Sequence, residues 1–337
     1  MTTEIVPASA RPLVPSTPLP ELVERAGGAA RFAWGEFFFA EHHNPHTQRA
    51  YQSAVRRFLS WCEGQGVELA SISPGMVGQY LAALGGSASK RNLHLSALRG
   101  FFDRLVQRHV VLLNPAASVS GVNEMVVEGK TPEITIEQAR RLLASVRTTY
   151  TVKAKGQKPQ EVVSVVGLRD RAILSTLAYT ACRAGAIAKL RLQDFQHDGE
   201  QYVLRFQEKG GKSREIPVRL ELQRDILAYL EAAGIGGDAK DRPLFRSAVG
   251  KTRQLTGIAL TSKAICELVK RRLKAAKLPV RLSPHSFRVT AITDLLTQGV
   301  PLEDVQYLAG HSSPRTTELY DPRQKKVTRN IVERISI

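Results

Sequence analysis

Between Gly121 and Ile134 the chain reads GVNEMVVEGKTPEI, and the helical spacing of apolar residues stops. Helical periodicity holds for many residues before this stretch and resumes after it. The break therefore divides the chain into two parts, each of which has to bury a core of its own. At 337 residues the chain is long enough for that. The expected division is a flexible arm over 1–35, a helical domain over 36–122, a linker over 123–134, and a second domain with a C-terminal tail over 135–337.

In the first part, HTQRAYQSAVRRFLSWCEGQG from His46 puts Tyr51, Val55, Phe58, Leu59 and Cys62 on one helical face, and Gly64 or Gly66 ends the helix. Arg49, Arg56 and Arg57 fall off that face. A second helix opens at Ser73-Pro74, since proline suits the first helical position. A third, from Ala88, buries Leu95, Leu98, Phe102 and Leu105 and leaves Lys90, Arg91 and Arg99 outside.

The second part opens with a helix near Thr135, then a long polar insert from Thr148, then a helix from Gly167. YVLRFQ from Tyr202 and SREIPV from Ser213 read as two strands joined by the glycine-containing turn EKGGK. Helices are expected from there on. Gly299 stops one and Pro301 opens the next; Gly310 stops that, and Ser313-Pro314 opens a helix carrying Tyr320. The fold class expected is mainly α with a small antiparallel β-hairpin: a helical domain followed by an α+β domain.

The net charge of +17 points to a polyanionic partner, because a cationic protein gains counterion-release energy on duplex DNA. A lipid surface is the weaker choice, as no basic helix carries a Trp/Phe-rich apolar face. No apolar run reaches the roughly 20 residues of a membrane span. The N-terminus, with its first cation at Arg11 and prolines following, lacks the order of a secretory signal. Cys62, Cys182 and Cys266 are widely spaced, which suits free thiols and a cytoplasmic location.

Several familiar sites can be set aside. Gly250-Lys251-Thr252 resembles the end of a phosphate-binding loop, but Phe245 stands where its first glycine belongs. His42, His43 and His46 have no cysteine or carboxylate at metal-ligand spacing, and no metal or other cofactor is expected. What remains is basic. His285 and Arg288 lie three apart at a helix start and share a face. Arg183 is set among small and apolar residues, an arrangement that needs an anion. Lys209 sits at the hairpin tip. With His311 these groups can clamp one phosphodiester, and Tyr320 supplies an oxygen nucleophile. Taken singly, each has an ordinary structural reading; the order of all six along the chain carries the inference.

That order resembles the tyrosine recombinases, the phage-integrase family. PHSFRVTAITDLLTQGVPLEDVQYLAGHSSPRTTELY is similar to the family's H-x-x-R…G-H…Y pattern. Thr180-ACRAGAI matches its first arginine box more loosely, and Glu208-KGGKSREIP its hairpin lysine. HTQRAYQSAVRRFLSWC, LSALRGFF and NPAASV resemble its helical, SAM-like core-binding domain. The resemblance covers roughly residues 36–330. Two departures stand out: Ala186 occupies a position that is usually acidic, and Ala181-Cys182 replaces Gly-Leu.

The resemblance implies a site-specific recombinase that needs neither metal nor ATP, with Tyr320 attacking DNA to form a 3′-phosphotyrosine. Arg183, Arg288 and His311 would hold the phosphate, Lys209 would act as general acid, and His285 would assist proton transfer. It also implies a homotetramer on two double-stranded DNA sites, and the apolar positions of the tail over 325–337 suit either a neighbouring subunit or the tail's own domain. Lys90, Arg91, Arg99 and Arg49 are the DNA-contact candidates in the first domain, and Lys270 and Arg271 in the second. A role in a mobile element is expected. A DNA-binding regulator that keeps the fold without cleaving and a type IB topoisomerase are the alternatives.

Overall fold

The computed structural model describes residues 18–122, 131–152, 158–207, 213–250 and 252–321. The chain divides into two compact units, Met1–Met125 and Val126–Ile337.

The first unit is helical: α1 (Glu21–Arg25), α2 (Gly28–Gly35), a π-helical turn over Glu36–Glu41, α3 (Pro45–Glu63), α4 (Pro74–Ala83) and α5 (Ala88–Gln107). Local chemistry sets the helix starts. The side chains of Asn44, Ser73 and Ser87 accept from backbone N–H groups one turn into α3, α4 and α5, and Pro45 and Pro74 occupy first helical positions. The core is aromatic, with Trp34, Phe37, Phe38, Phe58, Phe101 and Phe102 all sealed from solvent. Gly100 makes this packing possible. A Cβ there would stand 2.6 Å from Cε2 of Phe37, so only a glycine lets that ring lie against α5.

The expectation of a flexible arm reaching residue 35 fails from residue 18 onward. Leu22, Val23, Ala30, Ala33 and Trp34 are buried in α1 and α2 and belong to the core. Gly27-Gly28 splits this stretch into two helices, so no sustained period runs through it.

The second unit begins with α6 (Ile136–Ala144), where Thr135 and Gln138 form a reciprocal capping box. The polar insert folds as an antiparallel pair, β1 (Thr149–Val152) with β2 (Gln160–Val163). Next come α7 (Val165–Thr180), the single turn α8 (Ala184–Ile187), and an antiparallel sheet of β3 (Phe195–His197), β4 (Tyr202–Gln207) and β5 (Ser213–Pro217). The expected hairpin is β4–β5, closing at the pair Gln207–Ser213. Then follow α9 (Leu220–Ala233), β6 (Arg246–Ala248), β7 (Leu255–Ala259), α10 (Ser262–Ala275), α11 (Pro284–Thr297), α12 (Leu302–Ala309) and α13 (Pro314–Glu318). The pair β6–β7 interrupts the expected run of helices, and Gly250 and Thr252 lie between its strands, in a hairpin connection.

α7 is the spine of this unit and packs against α9 and α11. Its Asp170, fully buried, accepts from three guanidinium groups: Arg169 at 2.8 Å, and Arg271 and Arg272 of α10 at 3.0 and 2.6 Å. A carboxylate so placed is tolerated only because it is paired. A separate small cluster of Ala181, Ile292, Leu296, Val305 and Ala309 joins the end of α7 to α11 and α12, and Tyr320 packs on its edge. That cluster positions the site.

Candidate active site

α12 ends at Gly310, whose φ of +62° closes the helix in the left-handed region. The last carbonyls of a helix have no intrahelical donor and carry its negative dipole end. Here three arginines serve four consecutive ones. Arg214 of β5 donates to the carbonyls of Tyr307 and Leu308. Arg288 of α11 donates from Nη1 to Ala309 at 2.5 Å, and Arg183, just before α8, from Nη1 to Gly310 at 3.4 Å. Three cations from separate elements thereby converge on one turn.

Arg288 is 1% exposed, and its Nη1 also donates to the Ala181 carbonyl at 2.6 Å. Its Nε and Nη2 are buried and meet no partner among the described residues. Burial, and then the charges of Arg183 and Arg214, bring its pKa down to about 10. A guanidinium tethered by one nitrogen and unspent at two is prepared for an anion. Ala181, which supplies one tether, has φ +49° at the end of α7. The sequence departure there keeps a glycine-like backbone at the cost of left-handed strain, about 1 kcal/mol.

His311 follows Gly310 directly and is 8% exposed; its Nδ1 lies 2.8 Å from Thr317 Oγ1. Burial, then Arg288, Arg183, His285 and Arg214, push its pKa down to about 3, so the ring is neutral. Tyr320 comes two residues after α13, with its backbone N–H on the Thr317 carbonyl at 3.0 Å. Its ring stacks on His311, with centroids 6.0 Å apart and planes 11° apart. The phenol oxygen lies 3.5 Å from His285 Nε2. Desolvation, followed by Arg288 and Arg183, holds the His285 imidazole below its usual pKa.

Five of the six expected site residues, Arg183, His285, Arg288, His311 and Tyr320, therefore lie around one turn. Lys209 falls outside the described residues, as does the tail over 325–337. Arg183 is exposed rather than enclosed, because it stands at the mouth of the site just before a single-turn helix. Arg214 and Thr317 were missed by sequence reasoning. The inward phase of β5 could have pointed to Arg214, since Arg214 and Ile216 alternate with exposed neighbours.

The DNA-contact candidates separate. Arg49 and Lys270 are exposed. Lys90 is half-buried, with Nζ 3.5 Å from the Leu84 carbonyl, and Arg91 is half-buried with its Nε sealed from solvent. Arg99 is spent internally: it donates to the carbonyls of Ala116 at 3.2 Å and Val119 at 2.5 Å and ties down the loop after α5. Arg271 is likewise engaged by Asp170, although much of its side chain stays in solvent.

Chemically, a phenol within reach of an imidazole and beside unspent guanidinium donors suits phosphoryl transfer through tyrosine, with fixed cations stabilising the transition state. The phage integrase family model matches residues 134–326, and the family's N-terminal SAM-like domain matches 34–109. The chain belongs to the phage integrase family. It is 29% identical to tyrosine recombinase XerC of Pelobacter propionicus over 82% of this chain and 84% of that one. It is 28% identical to tyrosine recombinase XerD of Bifidobacterium longum over 81% and 85%. Among solved structures, XerH site-specific recombinase bound to palindromic difH substrate superposes with a TM-score of 0.65 at 19% identity, covering 85% of this chain and 80% of that one. A lambda integrase tetramer bound to a Holliday junction superposes at 0.62 and 16% identity, covering 89% and 78%. Both likenesses are of fold.

Proposed function

We propose that this protein is a site-specific DNA recombinase that cuts and rejoins DNA through Tyr320. The observation that carries this reading is Arg288: a sealed guanidinium with two donor nitrogens uncommitted among the described residues, beside a tyrosine whose hydroxyl meets a histidine. The phenol oxygen attacks the scissile phosphorus, a Tyr–O–P bond forms at the 3′ side, and the P–O5′ bond breaks. His285 takes the phenolic proton, and Lys209 gives one to the leaving 5′-oxygen. Arg183, Arg288 and His311 hold the non-bridging oxygens, where charge develops, and each such donor is worth about 2.7–4 kcal/mol in a preorganised site. The covalent linkage conserves the phosphodiester for religation to a new partner strand. That sequence of cuts passes through a Holliday junction.

The name of the lambda integrase complex, a tetramer on a Holliday junction, supports a tetramer on two sites as the working assembly. A role in moving a genetic element is proposed with it, and a relative of similar fold is a Tn1549 transposon integrase bound to circular intermediate DNA. Both units are proposed to share in DNA binding, with Arg49 of the first and Lys270 of the second as the exposed cations to test first. The test pairs two labelled duplexes carrying a candidate site and scores exchanged products. Exchange supports the recombinase. Supercoil relaxation without exchange supports a topoisomerase, and salt-sensitive binding without cleavage a regulator.

A further inference from the structure

We infer that Thr317 is a positioning residue that selects the tautomer of His311, keeping the ring proton on Nε2 where it can be donated to the DNA phosphate. This deepens the reading of His311 as a phosphate donor and rests on it. Thr317 is fully buried, and among the described residues its hydroxyl has one hydrogen-bond partner, His311 Nδ1, at 2.8 Å. A hydroxyl carries one proton, and a neutral imidazole carries one N–H. If Nδ1 held that proton it would donate to Oγ1, and the hydroxyl proton would be left in the interior without an acceptor, an arrangement proteins avoid. If the hydroxyl donates, Nδ1 accepts and the ring proton sits on Nε2. Both groups are then satisfied.

Four other helical threonines in this unit behave differently, while Thr293 also reaches across, to Glu133 Oε1 at 3.1 Å. Thr176, Thr180, Thr290 and Thr297 each turn the hydroxyl back to the carbonyl four residues earlier, the usual local bond for a threonine in a helix. Thr317 makes no such bond among the described residues and reaches across to His311 instead. The setting makes the choice consequential: burial and the surrounding arginines keep the imidazole uncharged, with its pKa at about 3, so its single proton decides whether the site has a donor there. The same contact fixes the ring on which Tyr320 stacks.

The test uses the full chain with 15N-labelled histidine. Long-range 1H–15N spectra read each ring's tautomer, and His311 is assigned by its disappearance in His311→Ala. Thr317→Val removes the hydroxyl at constant shape; Thr317→Ser keeps it. The expected result is an Nε2–H ring in wild type and Thr317→Ser, a mixed population in Thr317→Val, and single-turnover cleavage of suicide DNA lowered about tenfold in Thr317→Val alone, part of the loss for a missing donor. An Nδ1–H ring in wild type, or a Thr317→Val ring unchanged from wild type, overturns the inference. If the ring is Nε2–H but His311→Ala cleaves at the wild-type rate, the failure is in the role given to His311, and the spectra separate that result from a wrong tautomer.

Discussion

Replacing Arg288 with lysine separates charge from geometry at the centre of the site. Burial and two neighbouring cations bring this guanidinium from its ordinary value down to about 10, a penalty on the charged form of about 3 kcal/mol. The side chain is 1% exposed, so solvent does little to screen that penalty. The same penalty on an ammonium, whose free value is about 10.4, brings half-deprotonation of a buried lysine to pH ~8. In the proposed mechanism the cationic form holds the phosphate, and that form is present below the midpoint and lost above it. Arg288→Lys should therefore cleave slowly overall, since three donors at one point cannot serve the Ala181 and Ala309 carbonyls and a phosphate together. Its rate relative to wild type should fall further as pH rises through ~8. Stability should run the other way. Between pH ~8 and ~10.4 the unfolded chain binds more protons than the folded one, so the unliganded variant gains stability with rising pH, by up to about 3 kcal/mol. Single-turnover cleavage of nicked suicide DNA and melting temperature, each taken across this range, read the two slopes. A flat rate ratio would mean that fork geometry alone matters. A ratio rising with pH would refute the electrostatic account.

Three further outcomes follow from the same geometry. His285→Asn should remove the acid limb of the cleavage–pH profile; the neutral imidazole exists above its pKa, and because that pKa is lowered, the wild-type limb should lie on the acid side of an ordinary histidine. Ala181→Gly should leave stability nearly unchanged in chemical denaturation, because relief of the left-handed backbone at φ +49°, about 1 kcal/mol, is offset by the loss of a buried methyl worth about 0.8 kcal/mol, with cleavage retained. Asp170→Ala should cost about 3–5 kcal/mol and lower the melting temperature, because three arginines lose a shared buried partner.

The caps made the site legible in sequence. Gly310 and Pro314 fix where α12 stops and α13 starts, and the three-residue spacing of His285 and Arg288 fixes their shared face, so His311 and Tyr320 could be placed beside them. The hairpin β4–β5 was legible from its alternation and glycine turn. Less visible was the fate of individual arginines. Arg99, Arg214 and Arg271 read alike as cations in a basic chain, yet each donates to a carbonyl or carboxylate brought in from another segment. No local pattern encodes such partners. Thr317 is similar: a threonine in a short helix reads as a back-bonded hydroxyl until the fold sets an imidazole opposite it. The strands at 149–163 and 246–259 escaped because they are too short to show a period.

The most direct measurement is the chemical identity of the protein–DNA bond. Full-length protein is trapped on suicide DNA, digested with protease and nuclease, and the nucleotide-bearing peptide is sequenced by mass spectrometry. The account predicts a single 3′-linked nucleotide on Tyr320 and no adduct in Tyr320→Phe. Attachment at any other residue, or an undiminished adduct in Tyr320→Phe, would contradict it.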